Sequence, residues 1–425
     1  MPYTFLHTAD IHLDSPLKGL ERYDGAPVEE VRTAARRALA KLVDHAIQEH
    51  VAFILIAGDV YDGDWRDYNT GLFFASQMTR LREAKIPVYL ISGNHDAASQ
   101  ISRSLRLPDN VHCFSTEAPQ TVTLDDLGVA IHGQGFASAR VDRDLAEGYP
   151  SALPQHFNIG LLHTSLDGRP GHAPYAPCSL TGLVGKGYDY WALGHVHHRE
   201  VVHEDPWIVF PGNIQGRHIR ESGPKGCTIV TVDNGRIVAT ETVIVDVLRW
   251  AELSVDVSQC EHADEVIDKV TTSLFEACAV DGLRGRTLAV RLSLTGGTSA
   301  HTDFMKDTVR WTNEIRRCGT DIGLGRVWVE KVIFKTHTPI DLGDLAARED
   351  ALSELLRQIE TLTNDENALA ALVESELTTM IERVNRDLDT TQETQRYTQP
   401  EEQRTLLIEA RDLLVTRLIS GDRNP

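Results

Sequence analysis

Residues 3–12 have the sequence YTFLHTADIH, in which an apolar run is followed closely by Asp10 and His12. Side chains alternate between the two faces of a strand, so residues two apart where a buried strand ends point the same way. The pair therefore offers a carboxylate oxygen and an imidazole nitrogen to one point in space. Both atoms are common metal ligands, and further ligands are expected to converge on this point.

Four later stretches repeat the pattern of an apolar strand followed by polar side chains. They are AFILIAGDVYD (52–62), PVYLISGNHD (87–96), FNIGLLHTS (157–165) and YDYWALGHVHH (188–198). All five stretches together supply the candidate metal ligands Asp10, His12, Asp59, Asn94, His163, His195 and His197. A lone histidine, or a Gly-Asp pair in a turn, is weak evidence for a metal site. Seven potential ligands at five strand ends are unlikely to occur together by chance.

Carboxylate, imidazole and amide groups are the ligands that suit borderline-hard divalent metals, here Mn²⁺ with Fe²⁺ or Mg²⁺ as alternatives. Seven ligands oversupply one ion, whereas two ions about 3.5–4 Å apart that share a carboxylate use them all. Asp59 is the predicted bridge, because it follows a central strand and has two carboxylate oxygens. Two such cations activate a water and neutralise phosphate oxygens, so in-line displacement at phosphorus is the predicted reaction.

His95 lies beside the candidate ligand Asn94 and requires a different role. An imidazole with an ordinary pKa of about 6.5 can bind a phosphoryl oxygen and, when protonated, can donate to a leaving alkoxide. We therefore predict that His95 is catalytic. Asp96 is predicted either to orient His95 or to cap the helix that follows.

Composition indicates a globular protein of two or three domains. The chain has 425 residues, of which 41% are hydrophobic and 24% charged. We find no apolar run of about 20 residues and no signal-like amino-terminal segment, and therefore expect a cytoplasmic protein without a membrane anchor. The 6 cysteines are widely spaced and are expected to be reduced packing residues rather than zinc ligands or disulfides.

The net charge of −20 is unusual for a protein that acts on nucleic acid, which commonly has a basic surface. Residues 341–425 contain 19 acidic and 9 basic side chains, so half of the excess lies there. In the mildly acidic remainder, bound divalent cations would supply local positive charge. The charge argues against tight, non-specific binding of long duplex DNA by this chain alone.

The order of elements predicts an α/β fold with four layers, α/β/β/α, for residues 1–245. Strands first alternate with amphipathic helices at 31–47 and 67–83, and then follow one another in quick succession. Asn234-Gly235 between two apolar runs predicts a β-hairpin. Two sheets packed face to face, with helices outside, are the expected arrangement.

Two further regions follow. Residues 246–340 are predicted to form a small α+β capping domain, with helices at 263–278 and 303–318. Residues 341–425 form an acidic helical region with three apolar stripes. These helices are expected to pack on each other, and the alternative is an apolar face that binds a partner chain.

The motifs DIH, GDVYD, GNHD, LLHTS and GHVH have the order and spacing of the calcineurin-like metallophosphoesterases, which residues 1–245 resemble. Within that superfamily the chain most resembles the SbcD type of DNA double-strand-break repair nuclease. HTADIHLDSPLKG and PGNIQGRHIRESGPKGC are similar to its YhaO branch of DNA repair exonucleases. The resemblance implies a dimetal-dependent DNA nuclease, with exonuclease activity and, as a further expectation, endonuclease activity.

The resemblance also implies roles at matching positions. One metal would bind to Asp10, His12, Asp59 and His197, and the other to Asp59, Asn94, His163 and His195. His95 would be the catalytic histidine. Asp14 stands where SbcD proteins usually have Gly, and Asp62 where other branches have His. These differences predict an altered loop near the first metal and an altered balance of exonuclease and endonuclease activity.

In SbcD-type proteins a capping domain follows the nuclease domain, and later helices bind an ATP-driven coiled-coil partner. The resemblance therefore implies DNA and an SbcC-like ATPase as partners, with a homodimer as a further candidate assembly. Neither later region contains a P-loop, so ATP would be used by a separate chain. A basic loop close to the ligands in sequence contains Arg217, His218 and Arg220, which are candidate contacts to a DNA phosphate. The alternative is a basic loop that is only solvated.

Two alternatives remain open. The first is a small-substrate phosphodiesterase or phosphatase with the same dimetal centre, which the acidic composition favours. A protein phosphatase is disfavoured, because protein phosphatases of this superfamily have Arg after the second motif and GNHE as the third, where this chain has Gly63 and GNHD. The second is a non-catalytic scaffold for an ATPase, which predicts at least one missing ligand. All seven ligands are present.

Overall fold

The computed structural model describes residues 2–15, 27–62, 68–98, 106–168, 175–281, 285–323, 326–339, 350–365, 367–376 and 400–420. The chain divides into two compact units. The first comprises residues 1–253, 274–291 and 319–331, and the second comprises 254–273, 292–318 and 332–425.

Two six-stranded sheets form the centre of the first unit. Their strands are, in chain order, β1 (Tyr3–Thr8), β2 (Phe53–Ala57), β3 (Val88–Ile91), β4 (Val111–Cys113), β5 (Gln120–Leu124), β6 (Val129–Gly133), β7 (Phe157–His163), β8 (Tyr190–Gly194), β9 (Glu200–Glu204), β10 (Trp207–Phe210), β11 (Gly226–Asp233) and β12 (Arg236–Ile244). The first sheet has the order β12-β11-β1-β2-β3-β4, and the second has the order β5-β6-β7-β8-β10-β9. β1, β2 and β3 are mutually parallel, as are β7 and β8.

Aromatic side chains fill the space between the two sheets. Phe5 of β1 stacks on Phe53 of β2, with ring centroids 5.0 Å apart, and meets Tyr190 of β8 edge-on at 5.3 Å. Aromatic pairs in these geometries contribute about 0.5–1.5 kcal/mol beyond the area they bury. The contacts show that the sheets pack face to face, as predicted.

Helices cover the outer faces of both sheets. Among the described residues up to 253, the α-helices are α1 (Val28–Gln48), α2 (Tyr68–Glu83), α3 (Asn94–Ala98) and α4 (Leu180–Val184). Leu39 and Leu42 of α1 share one apolar cluster with Ile54 and Ile56 of β2. Leu183 of α4 lies with residues of the second sheet in another cluster. The predicted four-layer α/β/β/α sandwich is therefore confirmed.

The predicted hairpin at Asn234-Gly235 is confirmed, because Asp233 of β11 pairs with Arg236 of β12 across those two residues. Both turn residues have positive φ, +50° for Asn234 and +73° for Gly235. Two residues in this conformation match the twist of the flanking strands.

A third sheet has the strand order β13-β14-β15, formed by Leu248–Asp256, Thr287–Gly297 and Val327–His337. Three further helices accompany it in the sequence, namely α5 (Ala263–Asp281), α6 (His301–Lys306) and α7 (Thr308–Gly323). The prediction of one helix over 303–318 was wrong, because the helix is interrupted at Asp307. Asp307 has φ −144°, and its side chain accepts a hydrogen bond from Arg310 N at 3.0 Å, as an N-cap residue does.

The carboxyl-terminal region contains α8 (Ala351–Asn364), a helical segment at 367–376 and α9 (Pro400–Ser420). Asp350 caps α8 by accepting from Ser353 N, while the Ser353 hydroxyl accepts from Asp350 N. Nε of Arg404 in α9 donates to the carbonyl of Thr363 in α8 at 3.2 Å, so these two helices lie together. Residues 377–399 of the predicted helical region lie outside the described residues.

Candidate metal centre

The seven candidate ligands lie at the carboxyl ends of parallel strands in both sheets. β1, β2 and β3 of the first sheet precede Asp10, Asp59 and Asn94. β7 ends at His163, and β8 ends one residue before His195. Ligands of open α/β sheets bind at this edge, since the loops after parallel strands meet there.

Four of the candidate ligands have positive φ. The values are +52° for Asp10, +46° for His12, +55° for Asp59 and +102° for His195. Non-glycine residues in this region carry strain of about 1–3 kcal/mol each, which persists only where the surrounding structure enforces it. Strain gathered at one edge of the sandwich is typical of a functional site.

Glycines beside the ligands allow the strand ends to approach closely. A Cβ atom at Gly93 would lie 2.2 Å from Oδ1 of Asp59, and one at Gly194 would lie 2.0 Å from the carbonyl oxygen of Ala57. Both distances are far below van der Waals contact. The repeated Gly-Asp, Gly-Asn and Gly-His pairs therefore have a steric cause.

The first cluster contains Asp10, His12 and His197, whose ligand atoms lie within 4.8 Å of one another. Nε2 of His12 and Nε2 of His197 are 3.1 Å apart, and Nε2 of His197 is 3.9 Å from Oδ1 of Asp10. The backbone N–H of His195 donates to the Asp10 carboxylate at 3.0 Å and so orients it.

The second cluster contains Asp59, His163 and His195, again within 4.8 Å. Asn94 joins it, because its Oδ1 lies 3.0 Å from Nε2 of His163. Nδ1 of His163 donates to the carbonyl of Ala57 at 2.8 Å, which directs Nε2 at the cluster. A backbone carbonyl commonly orients a metal-binding histidine in this way.

Asp59 lies between the two clusters. Its Oδ2 is 4.0 Å from Nε2 of His12 and 3.4 Å from Nε2 of His163, and its Oδ1 accepts from the backbone N–H of His95 at 2.9 Å. Burial alone would raise the pKa of this carboxyl, but the charge and hydrogen bond of His163 hold it well below its ordinary value. The position is the one expected of a bridging carboxylate.

The residues present fit divalent cations. Within the described part of the chain, Nδ1 of His12 is buried without a hydrogen-bond partner, and burial holds the pKa of this imidazole well below its ordinary value. Nε2 of His12 and Nε2 of His197 face each other beside the Asp10 carboxylate, an arrangement that a bound cation would stabilise. The ligand atoms are nitrogen and oxygen without a thiolate, as borderline-hard metals prefer.

His95 is held by Asp62, a residue that sequence reasoning did not assign to the site. Nδ1 of His95 lies 2.8 Å from Oδ1 of Asp62, and the hydroxyl of Ser15 donates to the other oxygen of this carboxylate. Burial would lower the pKa of His95, but the hydrogen bond to Asp62 and the charge of Asp59 raise it above its ordinary value. The protonated form of His95 is thereby stabilised.

Asp96 does not orient His95. Its carboxylate instead accepts from the backbone N–H groups of Gly93 at 3.1 Å and Tyr61 at 3.0 Å. The contact to Gly93, the residue before α3, satisfies a free N–H at the start of that helix. Asp96 itself belongs to α3, which begins at Asn94, so the predicted cap of a helix that follows Asp96 was wrong. Burial and the charge of Asp59 raise the pKa of Asp96 to about 6.

Asp14, the residue that departs from the SbcD pattern, keeps a glycine-like backbone with φ of +53°. Aspartate tolerates this region better than most residues because its short polar side chain can bond locally. Here the carboxylate accepts from Nε of Arg36 in α1 at 2.8 Å and from the hydroxyl of Thr70 in α2. The loop after His12 is thus fastened to two helices.

The basic loop is arranged around Glu221, another residue that sequence reasoning missed. Nη2 of Arg217 donates to Oε1 of Glu221 at 2.9 Å, whereas the side chain of His218 is 54% exposed and that of Arg220 is exposed. The same Glu221 oxygen lies 2.8 Å from Nδ1 of His197. Burial would raise the pKa of Glu221, but His197 and Arg217 hold it far below its ordinary value.

Comparison with known proteins agrees with this geometry. Residues 3–199 match the model of the calcineurin-like phosphoesterases, so fold and site define a metal-dependent phosphoester hydrolase. Residues 250–337 match the middle domain of the metallophosphoesterase YhaO. The chain is 36% identical over 297 residues to the "Uncharacterized metallophosphoesterase YhaO" of Bacillus subtilis (strain 168), across 69% of this chain and 72% of that protein. It belongs to the YhaO family of calcineurin-like metallophosphoesterases.

Two more distant similarities were found. The chain is 27% identical over 284 residues to the DNA double-strand break repair protein Mre11 of Methanopyrus kandleri, across 59% of this chain and 58% of that protein. A dimetal phosphatase from Danio rerio aligns with a TM-score of 0.34 and 12% identity, across 57% of this chain and 99% of that structure. No helix among the described residues is long and apolar enough to cross a membrane.

Proposed function

We propose that this metallophosphoesterase is a two-metal DNA nuclease that hydrolyses phosphodiester bonds in DNA repair. The observation that carries the proposal is the position of Asp59, whose Oδ2 lies 4.0 Å from Nε2 of His12 in one ligand cluster and 3.4 Å from Nε2 of His163 in the other. Asp10 and His197 complete the first cluster. Two ions held in this way suit the in-line displacement of a phosphodiester.

Each residue has a distinct role in this proposal. Asp10, His12 and His197 would hold one ion, Asn94, His163 and His195 would hold the other, and Asp59 would bind both. The ions, when bound, lower the pKa of a water and neutralise phosphate oxygens. Mn²⁺ is the proposed metal, since the ligands combine imidazole nitrogen with hard oxygen atoms; Fe²⁺ and Mg²⁺ are the alternatives.

His95 is the proposed general acid. Asp62 occupies its Nδ1, so Nε2 is the ring nitrogen left for the substrate. The carboxylates of Asp59 and Asp62 favour the imidazolium, which can donate a proton to the leaving oxygen. Asp62 orients the His95 ring by accepting a hydrogen bond from its Nδ1.

The choice of DNA as substrate is supported by the similarity to Mre11, a DNA double-strand break repair protein by name. The net charge of −20 opposes tight binding of long duplexes and favours the second candidate, a small phosphodiester. Short or single-stranded DNA ends satisfy both observations, because few phosphates must be held beside the cations. Exonuclease action on such ends is therefore proposed, with endonuclease action on exposed single strands.

A separate ATPase of SbcC type is the proposed partner. Residues 246–340 would cap the nuclease domain, and residues 341–425 would present helices to the partner. The apolar side chains of Leu372 and Leu414 are 37% and 41% exposed, which leaves part of the helical surface available. A homodimer of this chain is a further proposed assembly.

The proposal is tested by cleavage of end-labelled single-stranded, duplex and hairpin DNA beside bis(p-nitrophenyl) phosphate, with Mn²⁺ or chelator. We expect Mn²⁺-dependent cleavage of DNA ends that is lost with chelator and in Asp59→Asn. Asp44→Asn on the surface of α1 makes the same chemical change away from the site and is expected to retain activity. Cleavage of the small phosphodiester alone would support the second candidate instead.

A further inference from the structure

We propose that Glu221 and Arg217 are positioning residues that couple the first metal cluster to the His95 site. The inference rests on the proposed dimetal function and deepens it. Neither residue belongs to the seven ligands. Together they connect His197 and His95, which lie in different loops of the site.

Glu221 is a buried acceptor of several hydrogen bonds. It lies at the end of the 3₁₀ turn Ile219–Glu221 and is 7% exposed. Its oxygens accept from Nδ1 of His197 at 2.8 Å, from Nη2 of Arg217 at 2.9 Å and from Nδ2 of Asn213 at 2.9 Å. The backbone N–H of Arg217 donates to it as well, at 2.8 Å. A buried carboxylate with so many donors is held in one orientation.

The contact to Glu221 determines which nitrogen of His197 can bind a metal. A carboxylate at Nδ1 requires the proton there, so Nε2 carries the lone pair. Nε2 is the atom that faces His12 at 3.1 Å and Asp10 at 3.9 Å. The negative charge also raises the basicity of the imidazole as a ligand.

Arg217 extends this arrangement to the other histidine. Its Nη2 bonds to Glu221, and its Nη1 lies 3.7 Å from Oδ2 of Asp62. The second oxygen of Asp62 holds Nδ1 of His95 at 2.8 Å. One guanidinium therefore lies between two carboxylates, each of which orients a histidine of the site.

A phosphate contact, the role predicted for Arg217 from the sequence, would require these bonds to be exchanged for bonds to substrate. The side chain is 17% exposed and sits between Asp62 and Glu221. A rigid two-pronged cation suits this position, because it can hold two carboxylates at a fixed separation. The two roles predict different kinetic effects.

The first experiment measures Mn²⁺ binding to the full chain by calorimetry, with the Mn²⁺ signal in electron paramagnetic resonance as a second readout. In Glu221→Gln we expect the Mn²⁺ affinity of one of the two sites to fall by about 10–100-fold and that of the other to change by less than about twofold. Glu330→Gln is the matched control, since Glu330 is 4% exposed and accepts from Arg291 at 2.8 and 2.9 Å away from both clusters. Equal Mn²⁺ affinities in wild type and Glu221→Gln would overturn the inference.

The second experiment measures hydrolysis of bis(p-nitrophenyl) phosphate by Arg217→Gln at saturating Mn²⁺, with Arg291→Gln as control. We expect kcat to fall about tenfold with KM nearly unchanged, because the orientation of His95 is lost. A raised KM with normal kcat would assign Arg217 to phosphate binding and overturn its positioning role. A wild-type chain that binds two Mn²⁺ but leaves DNA intact would contradict the nuclease proposal while the Glu221 result still stands.

Discussion

Nε2 of His12 and Nε2 of His197 face each other at 3.1 Å, although the two residues are 185 positions apart in the chain. Glu221 holds the proton of His197 on the other ring nitrogen. Two imidazole nitrogens are brought this close at a cost in burial and backbone strain, which a shared cation offsets.

Mn²⁺ is expected to stabilise the folded chain, because it binds the folded cluster and not the unfolded polypeptide. A metal at 100 times its Kd contributes about 2.7 kcal/mol per site to the free energy of unfolding. We expect the melting temperature to rise with Mn²⁺, to fall back with chelator, and to rise much less in His197→Gln. His156→Gln, in the turn before β7, is the control. An equal rise in wild type and His197→Gln would contradict the assignment of His197.

Gly93→Ala is expected to disrupt the centre, because the added Cβ would lie 2.2 Å from Oδ1 of Asp59. We expect the bound Mn²⁺ per chain to fall below one and phosphodiester hydrolysis to drop by about 100-fold, as for loss of a group that orients the ligands. Gly148→Ala is the matched control, since its Cβ would meet only Pro119 at 3.5 Å. Normal metal content in Gly93→Ala would show that the strand ends are not packed this tightly.

His95→Gln is expected to lower turnover without loss of metal. A general acid typically contributes about 10²–10⁴-fold to rate, so kcat is expected to fall by that range. Asp62→Asn is expected to give a smaller loss, because the ring remains but its orientation and charge support are weakened. The measurement is kcat on a small phosphodiester together with bound Mn²⁺. Loss of one Mn²⁺ in His95→Gln would identify it as a ligand.

His7 is expected to make stability fall in acid. Its ring is buried between the sheets, bonded to the hydroxyl of Tyr190 at 2.9 Å and the carbonyl of Leu193 at 3.1 Å, and burial lowers its pKa to about 3. Between that value and the unfolded pKa of about 6.5, only the unfolded chain binds the proton, so stability decreases as pH falls and is unaffected above pH 6.5.

The His7 effect is measured as the free energy of unfolding in urea at pH 7.5 and 5.5. The wild type is expected to lose about 1.4 kcal/mol more than His7→Gln over this interval. His156→Gln is expected to behave as wild type. Identical pH dependence in wild type and His7→Gln would show that His7 takes up its proton in the folded state.

The strand ends could be predicted from sequence because their signal is local. In residues 52–62, for example, the apolar run, the glycine and Asp59 are adjacent, and β2 ends where the run ends. The same holds for Asn94 after β3 and for the hairpin at Asn234-Gly235. Sheet order was not predicted, since nothing within one strand specifies its neighbours, and the assignment of each ligand to one of two metals required the resemblance to a family.

The positioning residues were missed because their partners are distant in sequence. Asp62 holds a histidine 33 positions later, and Glu221 lies in a single 3₁₀ turn 24 positions after His197, where no periodicity marks it. The break at Asp307 was missed although a signal existed. An aspartate followed by Thr308 is a common start of a helix, but the apolar spacing continues through it and concealed the boundary.

The most direct test of the dimetal centre is anomalous diffraction from crystals grown with Mn²⁺. Two peaks about 3.5–4 Å apart are expected, one on each side of Oδ2 of Asp59, the first contacted by His12 and His197 and the second by His163. A single peak, or two peaks that do not share Asp59, would contradict the account.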